Sequence, residues 1–190
     1  MKNAIKLIQE FEPCCEQEEV DKALFLKVAE SMDDSLTREN LLAHFTVSAW
    51  VMNEAKDKVL CAFHNQYGRW VWLGGHCDGD DDFLGVIKKE IQEESGVENV
   101  TLYSDGIFSL ESFAVFPHVK RGKFVPAHVH LNVTYAFIAD ELCATRIAEG
   151  ENSAVGWKGF EELLELQTWG SSKAVYQKII DKVRKIEDLA

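Results

Sequence analysis

The sequence is poor in proline, with three in 190 residues, so no proline-rich linker or low-complexity stretch divides it. Basic residues are scarce as well: 20 lysines and arginines stand against 32 aspartates and glutamates, for a formal net charge of -12. A field of that sign repels polyanions and argues against a partner that is a nucleic-acid polymer or an anionic membrane, unless a local basic patch intervenes. One patch exists, His118-Val119-Lys120-Arg121-Gly122-Lys123, which reads either as a solvated loop or as a loop that contacts phosphate. No apolar run approaches the roughly 20 residues needed to cross a bilayer, and acids instead of a signal-peptide core follow Met1-Lys2-Asn3-Ala4-Ile5. The expected compartment is the cytoplasm. Cysteine is sparse and unpatterned: Cys14, Cys15, Cys61, Cys77 and Cys143 lack zinc-type spacing, and the vicinal pair cannot easily bridge to itself. Reduced thiols are expected.

What is present is an ordinary globular composition, 46% hydrophobic and 27% charged, at a length suited to one domain with appendages. Ile5, Ile8, Val20, Ala23, Leu24 and Val28 recur at helical spacing around Pro13, so residues 1–43 read as an N-terminal helical extension. From residue 44 to 190 the pattern is that of an α/β domain with a C-terminal helix. Strands are expected over 45–52, 58–64 and 69–73, where Gly74-Gly75 breaks the run. A helix over 83–94 follows, with Leu84, Ile87 and Ile91 on its apolar side and a stop at Ser95-Gly96. Further strands are expected over 100–103, 107–116 and 127–138, and helices over 160–166 and 174–186.

Glu90, Glu93 and Glu94 stand at i, i+3 and i+4, which on a helix gathers three carboxylates on a face opposite Leu84, Ile87 and Ile91. Like charges at that spacing cost roughly 0.2–0.5 kcal/mol per pair, so taken alone the three acids read either as a solvated helix face or as a place where a cation sits. Hard divalent ions take oxygen ligands, and Mg²⁺ is held by a few carboxylates, water and substrate phosphate.

The full pattern around these acids is Gly75, five residues, Asp81, seven residues, then Lys89-Glu90-Ile91-Gln92-Glu93-Glu94-Ser95-Gly96-Val97. It resembles the Nudix box, which spans residues 75–97 here with every fixed position matched except Asp81 for glutamate and Lys89 for arginine. The resemblance covers roughly residues 45–166. It implies a Nudix-type α/β/α sandwich with a mixed sheet, and hydrolysis of a diphosphate bond in a nucleoside diphosphate linked to another moiety. By analogy Glu90 and Glu94 bind Mg²⁺, or Mn²⁺ in its place. Glu93 is a further ligand or orients the attacking water, and the Gly75 carbonyl also reaches the metal. Lys89 stands where the family's arginine braces the glutamates, yet offers one point charge instead of a planar fork. Asp81 is one methylene short of the family's glutamate. The general base is a box glutamate or an acid outside the helix, Glu151 ahead of Glu149. With the two departures in view, the second reading is a non-catalytic Nudix-fold module that senses a nucleotide.

His128 and His130 alternate and so share one sheet face, His76 follows the glycine pair, and His44 precedes the first strand. These four are candidates for substrate binding through phosphate, for a second, transition-metal site, or for hydrogen-bonded members of a cleft wall. Cys77 beside His76 resembles isopentenyl diphosphate isomerase, a third reading that the complete box opposes. Trp50, Trp70, Trp72, Phe113 and Phe116 are read as core or as a nucleobase stack.

Overall fold

The computed structural model describes residues 1–120, 122–167 and 172–189. In chain order the elements are α1 (Lys2–Glu10), α2 (Glu16–Ser31), β1 (Ala43–Met52), β2 (Lys58–His64), β3 (Arg69–His76), α3 (Phe83–Ser95), β4 (Thr101–Leu102) and β5 (Ser109–Val115). They continue with β6 (His118–Lys120), β7 (Lys123–Val125), β8 (His128–Ile138), β9 (Asn152–Gly159), α4 (Phe160–Leu166) and α5 (Ser172–Glu187). This is the expected mixed α/β fold with helices at the N-terminus. The main sheet runs in the order β4-β8-β1-β3-β2-β9, with β5 paired to β8. Contacts divide the chain into two compact units: residues 1–48, 74–87 and 104–135, and residues 49–73, 88–103 and 136–190.

In the first unit, β5 and β8 pair antiparallel from Ser109↔Thr134 to Val115↔His128. The inner apolar side is filled by Phe25, Phe45 and Phe83, with Phe45 5.7 Å from Phe25 and 5.6 Å from Phe83. Because strand side chains alternate faces, Thr46 and Ser48 of β1, Ser109 and Glu111 of β5, and Asn132 and Thr134 of β8 form a polar layer. Asn132 Oδ1 accepts from Thr46 and Ser48 at 3.0 and 2.8 Å, while its amide and the Thr134 hydroxyl donate to Glu111 at 3.0 and 2.8 Å. Ser109 Oγ joins Glu111 to Glu18 of α2. Every member of this layer is buried, so the hydrogen bonds offset a desolvation cost of about 1–3 kcal/mol per group. The same bonds dock α2 on β5.

The segment 118–123, read as a loop, is a hairpin instead, with His118↔Val125 and Lys120↔Lys123 paired. Its turn includes Gly122 at φ +77, and Arg121 lies outside the described residues.

In the second unit, β2 pairs with β3 from Cys61↔Trp72 to His64↔Arg69, and with β9 from Lys58↔Gly159 to His64↔Asn152. Trp50, Trp72 and Tyr176 meet at ring distances of 4.8 to 6.2 Å. Trp50 is therefore core, fully buried, and not a base-stacking surface. Two corrections follow. β9 was not anticipated, and β3 does not end at Gly74-Gly75 but continues to His76. Gly74 is there for clearance: a Cβ on it would lie 2.3 Å from the Val47 carbonyl oxygen.

Candidate active site

The acidic helix α3 forms over Phe83–Ser95, and its acids do not share one environment. With about 100° between successive residues, Glu94 falls about 60° from the buried Ile91, Glu90 about 100° and Glu93 about 160°. Glu94 is accordingly buried at 6% exposure, Glu90 is half-buried and Glu93 faces out. The expectation of one face opposite the apolar residues is corrected: the three carboxylates fan across the boundary. Among the described residues, the groups of three side chains whose ligand atoms come within 4.8 Å of one another are His44/His76/His130 and Cys14/Cys15/Glu18, and the acids of α3 are not one of them.

Lys89 reaches Glu93 at 3.5 Å in an exposed i,i+4 pair. Asp81 is taken up by α1: its carboxylate accepts from the Asn3 backbone N–H at 3.1 Å and its carbonyl from the Asn3 amide at 2.7 Å. Gly75 lies within β3.

The C-terminal end of α3 is held tightly. Gly96 adopts φ +77 and donates to the Gln92 carbonyl at 2.9 Å, as a left-handed cap does. Arg146 donates from its backbone to the Ser95 carbonyl at 2.8 Å and from its guanidinium to the Gln92 carbonyl at 3.3 Å. Asn152, buried at the start of β9, donates to the Glu94 carbonyl at 2.9 Å and accepts from Ala148 N–H at 3.1 Å. Glu151 precedes it with an exposed side chain, and its carbonyl accepts from Asn65 N–H at 3.0 Å. The β2–β3 turn brings in Tyr67, whose phenol is pushed up from its ordinary pKa by desolvation, with Arg69 opposing and the Glu94 charge adding. Tyr67, Arg69 and Asn152 were not singled out from sequence. The adjacency of Asn152 to Glu151, and the turn signal at Tyr67-Gly68, were the available signs.

The histidines do converge, all within the first unit. His44 lies 4.8 Å from His128, 4.9 Å from His130 and 5.3 Å from His76 by ring centroid. His44 is in β1 and not ahead of it. Desolvation dominates the downward pKa shifts of His44, His76 and His130, to about 3 for His76 and about 2 for His130, with neighbouring positive groups adding. Beside them Arg38 forms a two-point pair with Asp78 at 2.7 and 2.5 Å, which holds that carboxyl below its usual range. Cys77 is buried, and no disulfide joins the five cysteines. In the Cys14/Cys15/Glu18 group the glutamate caps α2, accepting from Cys14 N–H at 2.9 Å and from Ser109. Among the described residues no helix is long and apolar enough to cross a membrane.

Several solved structures share the fold. An Ap4A hydrolase from C. elegans, in a binary complex, is 13% identical with a TM-score of 0.56, over 77% of this chain and 98% of that one. A NUDIX-family hydrolase from Clostridium perfringens is 21% identical with a TM-score of 0.52, over 75% and 97%. The NUDIX domain of Shewanella oneidensis NrtR, complexed with ADP ribose, is 19% identical with a TM-score of 0.50, over 77% and 88%. Among curated proteins no sequence matches. The NUDIX domain model matches residues 42–179, well over half of the chain and inclusive of the complete box, and the chain therefore belongs to the NUDIX domain family.

Proposed function

We propose that the chain hydrolyses a diphosphate bond in a nucleoside diphosphate linked to a further group, with Mg²⁺ as the metal and Mn²⁺ as a substitute. The observation that carries this reading is Glu94, a carboxylate at 6% exposure whose main chain is fixed by Asn152 at 2.9 Å. The box carboxylates Glu90, Glu93 and Glu94 present oxygen donors only, and that donor set fits a hard divalent ion. Glu94 and Glu90 hold that ion. When bound it lowers the pKa of the attacking water and neutralises charge on the phosphoryl oxygens. Glu93, turned outward beside Lys89, is available to orient water. Glu151, exposed at the entry to β9, is the second candidate for general base. An Ap4A hydrolase and an ADP-ribose complex among structures of the same fold support a substrate in which a nucleotide is linked through phosphates.

A second reading, a nucleotide-binding module without turnover, is favoured by one observation. Lys89 pairs with outward Glu93 at 3.5 Å and Asp81 is engaged by Asn3 at 3.1 Å, so both departures from the box have found other partners. A panel of dinucleoside polyphosphates, nucleotide sugars, ADP-ribose and nucleoside triphosphates, incubated with Mg²⁺ or Mn²⁺, distinguishes the two. Release of phosphate-containing products from at least one compound supports hydrolysis. Calorimetric binding with no product from any of them supports the sensor.

A further inference from the structure

The histidine cluster has a donor geometry that hydrolysis at α3 does not use. His44 of β1, His76 at the end of β3, and His128 and His130 at the start of β8 bring imidazoles from three strands together. The ligand nitrogens of His44, His76 and His130 all lie within 4.8 Å of one another, and His128 Nε2 is hydrogen-bonded to His130 Nε2 at 3.1 Å, through a proton that a bound ion would displace. Two nitrogens bound to one tetrahedral ion at about 2.0–2.1 Å would be roughly 3.3 Å apart, so that pair is already at ligand spacing.

The tautomers are fixed from behind. His44 Nδ1 faces the Asn40 carbonyl at 3.0 Å and His128 Nδ1 faces the Pro126 carbonyl at 2.9 Å. A carbonyl only accepts, so both Nδ1 atoms carry a proton, and in the neutral rings the His44 Nε2 lone pair faces the cluster while that of His128 accepts from His130 Nε2–H. This backbone-carbonyl support behind the ring is the usual outer arrangement of a metal-ligating histidine. His44 Nε2 is buried and has no hydrogen-bond partner among the described residues. An orphaned buried acceptor calls for a Lewis acid or a proton donor. A phosphate oxygen supplies neither, which argues against direct anion binding at this nitrogen.

We propose that His44, His76, His128 and His130 bind one divalent first-row transition ion, Zn²⁺ foremost. Imidazole suits Zn²⁺, Ni²⁺, Co²⁺ and Fe²⁺ and is a poor ligand for Mg²⁺, so the site differs in both ligands and metal from the carboxylates of α3. It stands whether or not the hydrolytic reading does.

The test uses the full chain, stripped of metal by a chelator and titrated with Zn²⁺ by calorimetry in saturating Mg²⁺, which competes at any oxygen site. Co²⁺ absorption reports the coordination geometry in parallel. One Zn²⁺ per chain is expected, with visible Co²⁺ bands of a nitrogen-rich tetrahedral site. His76→Asn/His130→Asn should weaken Zn²⁺ at least ~10-fold, the minimum seen even for lost supporting contacts. Glu90→Gln/Glu94→Gln should leave Zn²⁺ binding unchanged while abolishing hydrolysis, which separates this site from the catalytic one. Should the double histidine variant lose its far-UV circular dichroism, His44→Gln carries the same comparison. Absence of Zn²⁺ binding in the unaltered chain, equal affinity in the folded histidine variants, or loss of Zn²⁺ in the glutamate variant would each overturn the proposal.

Discussion

Glu93 and Glu94 are neighbours in sequence, yet the Glu93 side chain is 53% exposed and Glu94 is 6% exposed. Replacing either carboxylate by its amide keeps shape and removes charge, so the pair of variants separates a buried electrostatic role from a surface one. Glu94→Gln is expected to lower turnover at least ~100-fold at saturating Mg²⁺, the scale on which a single essential electrostatic group acts, with circular dichroism retained. Glu93→Gln should cost less. Equal, full activity in Glu94→Gln would remove α3 as the metal-binding element. The three acids and their spacing were legible from the sequence because the box is an unbroken pattern of residue types. Their division into inward, boundary and outward was not, since i, i+3 and i+4 were grouped as a single face although they span about 100°. Tyr67 and Asn152 were missed for a different reason: each approaches Glu94 through a sheet pairing or turn distant in sequence, and no local pattern records that.

At the scale of elements, the end of α3 shows how a cap positions chemistry. Gly96 combines φ +77 with a crowded site in which a Cβ would lie 2.5 Å from Arg146 Cγ, whereas Gly68, at φ +62, has nothing within 4 Å of its added Cβ. Gly68→Ala should cost only the left-handed backbone penalty of about 1–2 kcal/mol. Gly96→Ala should cost more, because Arg146 must also give up its place on the Gln92 carbonyl. Denaturant titration of both variants measures the difference, and equal losses would show that Arg146 yields freely. Asn152→Ala tests the same cap from β9. Two hydrogen bonds are lost, one buried and one part-buried, at about 1–3 kcal/mol for a buried group left unsatisfied, so a fall in Cm is expected together with a fall in kcat that a surface substitution would not produce.

Element boundaries show what periodicity encodes. β2 and α4 match their expected ranges because apolar pattern and turn residues agree there. β9 was unread because Asn152-Ser153-Ala154-Val155-Gly156-Trp157-Lys158-Gly159 has two glycines and no clean alternation. It becomes a strand through its antiparallel pairing with β2. β8 with its His128/His130 alternation was legible as a strand, and so was β1 from Phe45 onward, while His44 was placed ahead of it. That their polar faces carry a buried network on one side of the histidines depends on Glu18 of α2, far away in sequence, closing it from above Ser109 at 2.8 Å.

For the molecule as a whole, the dominant quantity is the net charge of -12, and its distribution sets the response to acid. Two surface carboxylates of the second unit tie distant segments together. Glu187 near the end of α5 accepts from Lys56 at 2.6 Å and from Tyr103 at 2.7 Å, and Glu141 after β8 accepts from Lys58 and from Asn53 at 3.0 Å. Both carboxyl pKa values are lowered, in each case first by the lysine hydrogen bond and then by the second donor. A depressed folded pKa means that the unfolded chain takes up the proton first. The stabilisation is therefore complete above the ordinary carboxylate pKa of about 4.3, and it is lost as pH falls through the lower folded values. Glu141→Gln/Glu187→Gln keeps the side-chain size and cannot titrate. The Tm of the unaltered chain should exceed that of the variant by a constant margin from neutral pH down to about pH 5, and the margin should shrink steadily below that. Because both groups are exposed, added salt should also reduce the margin at neutral pH. Thermal melts of the two proteins from neutral to acid pH, at low and high salt, provide the check. A margin that persists undiminished in acid would assign the stabilisation to the shape of these contacts and not to their charge.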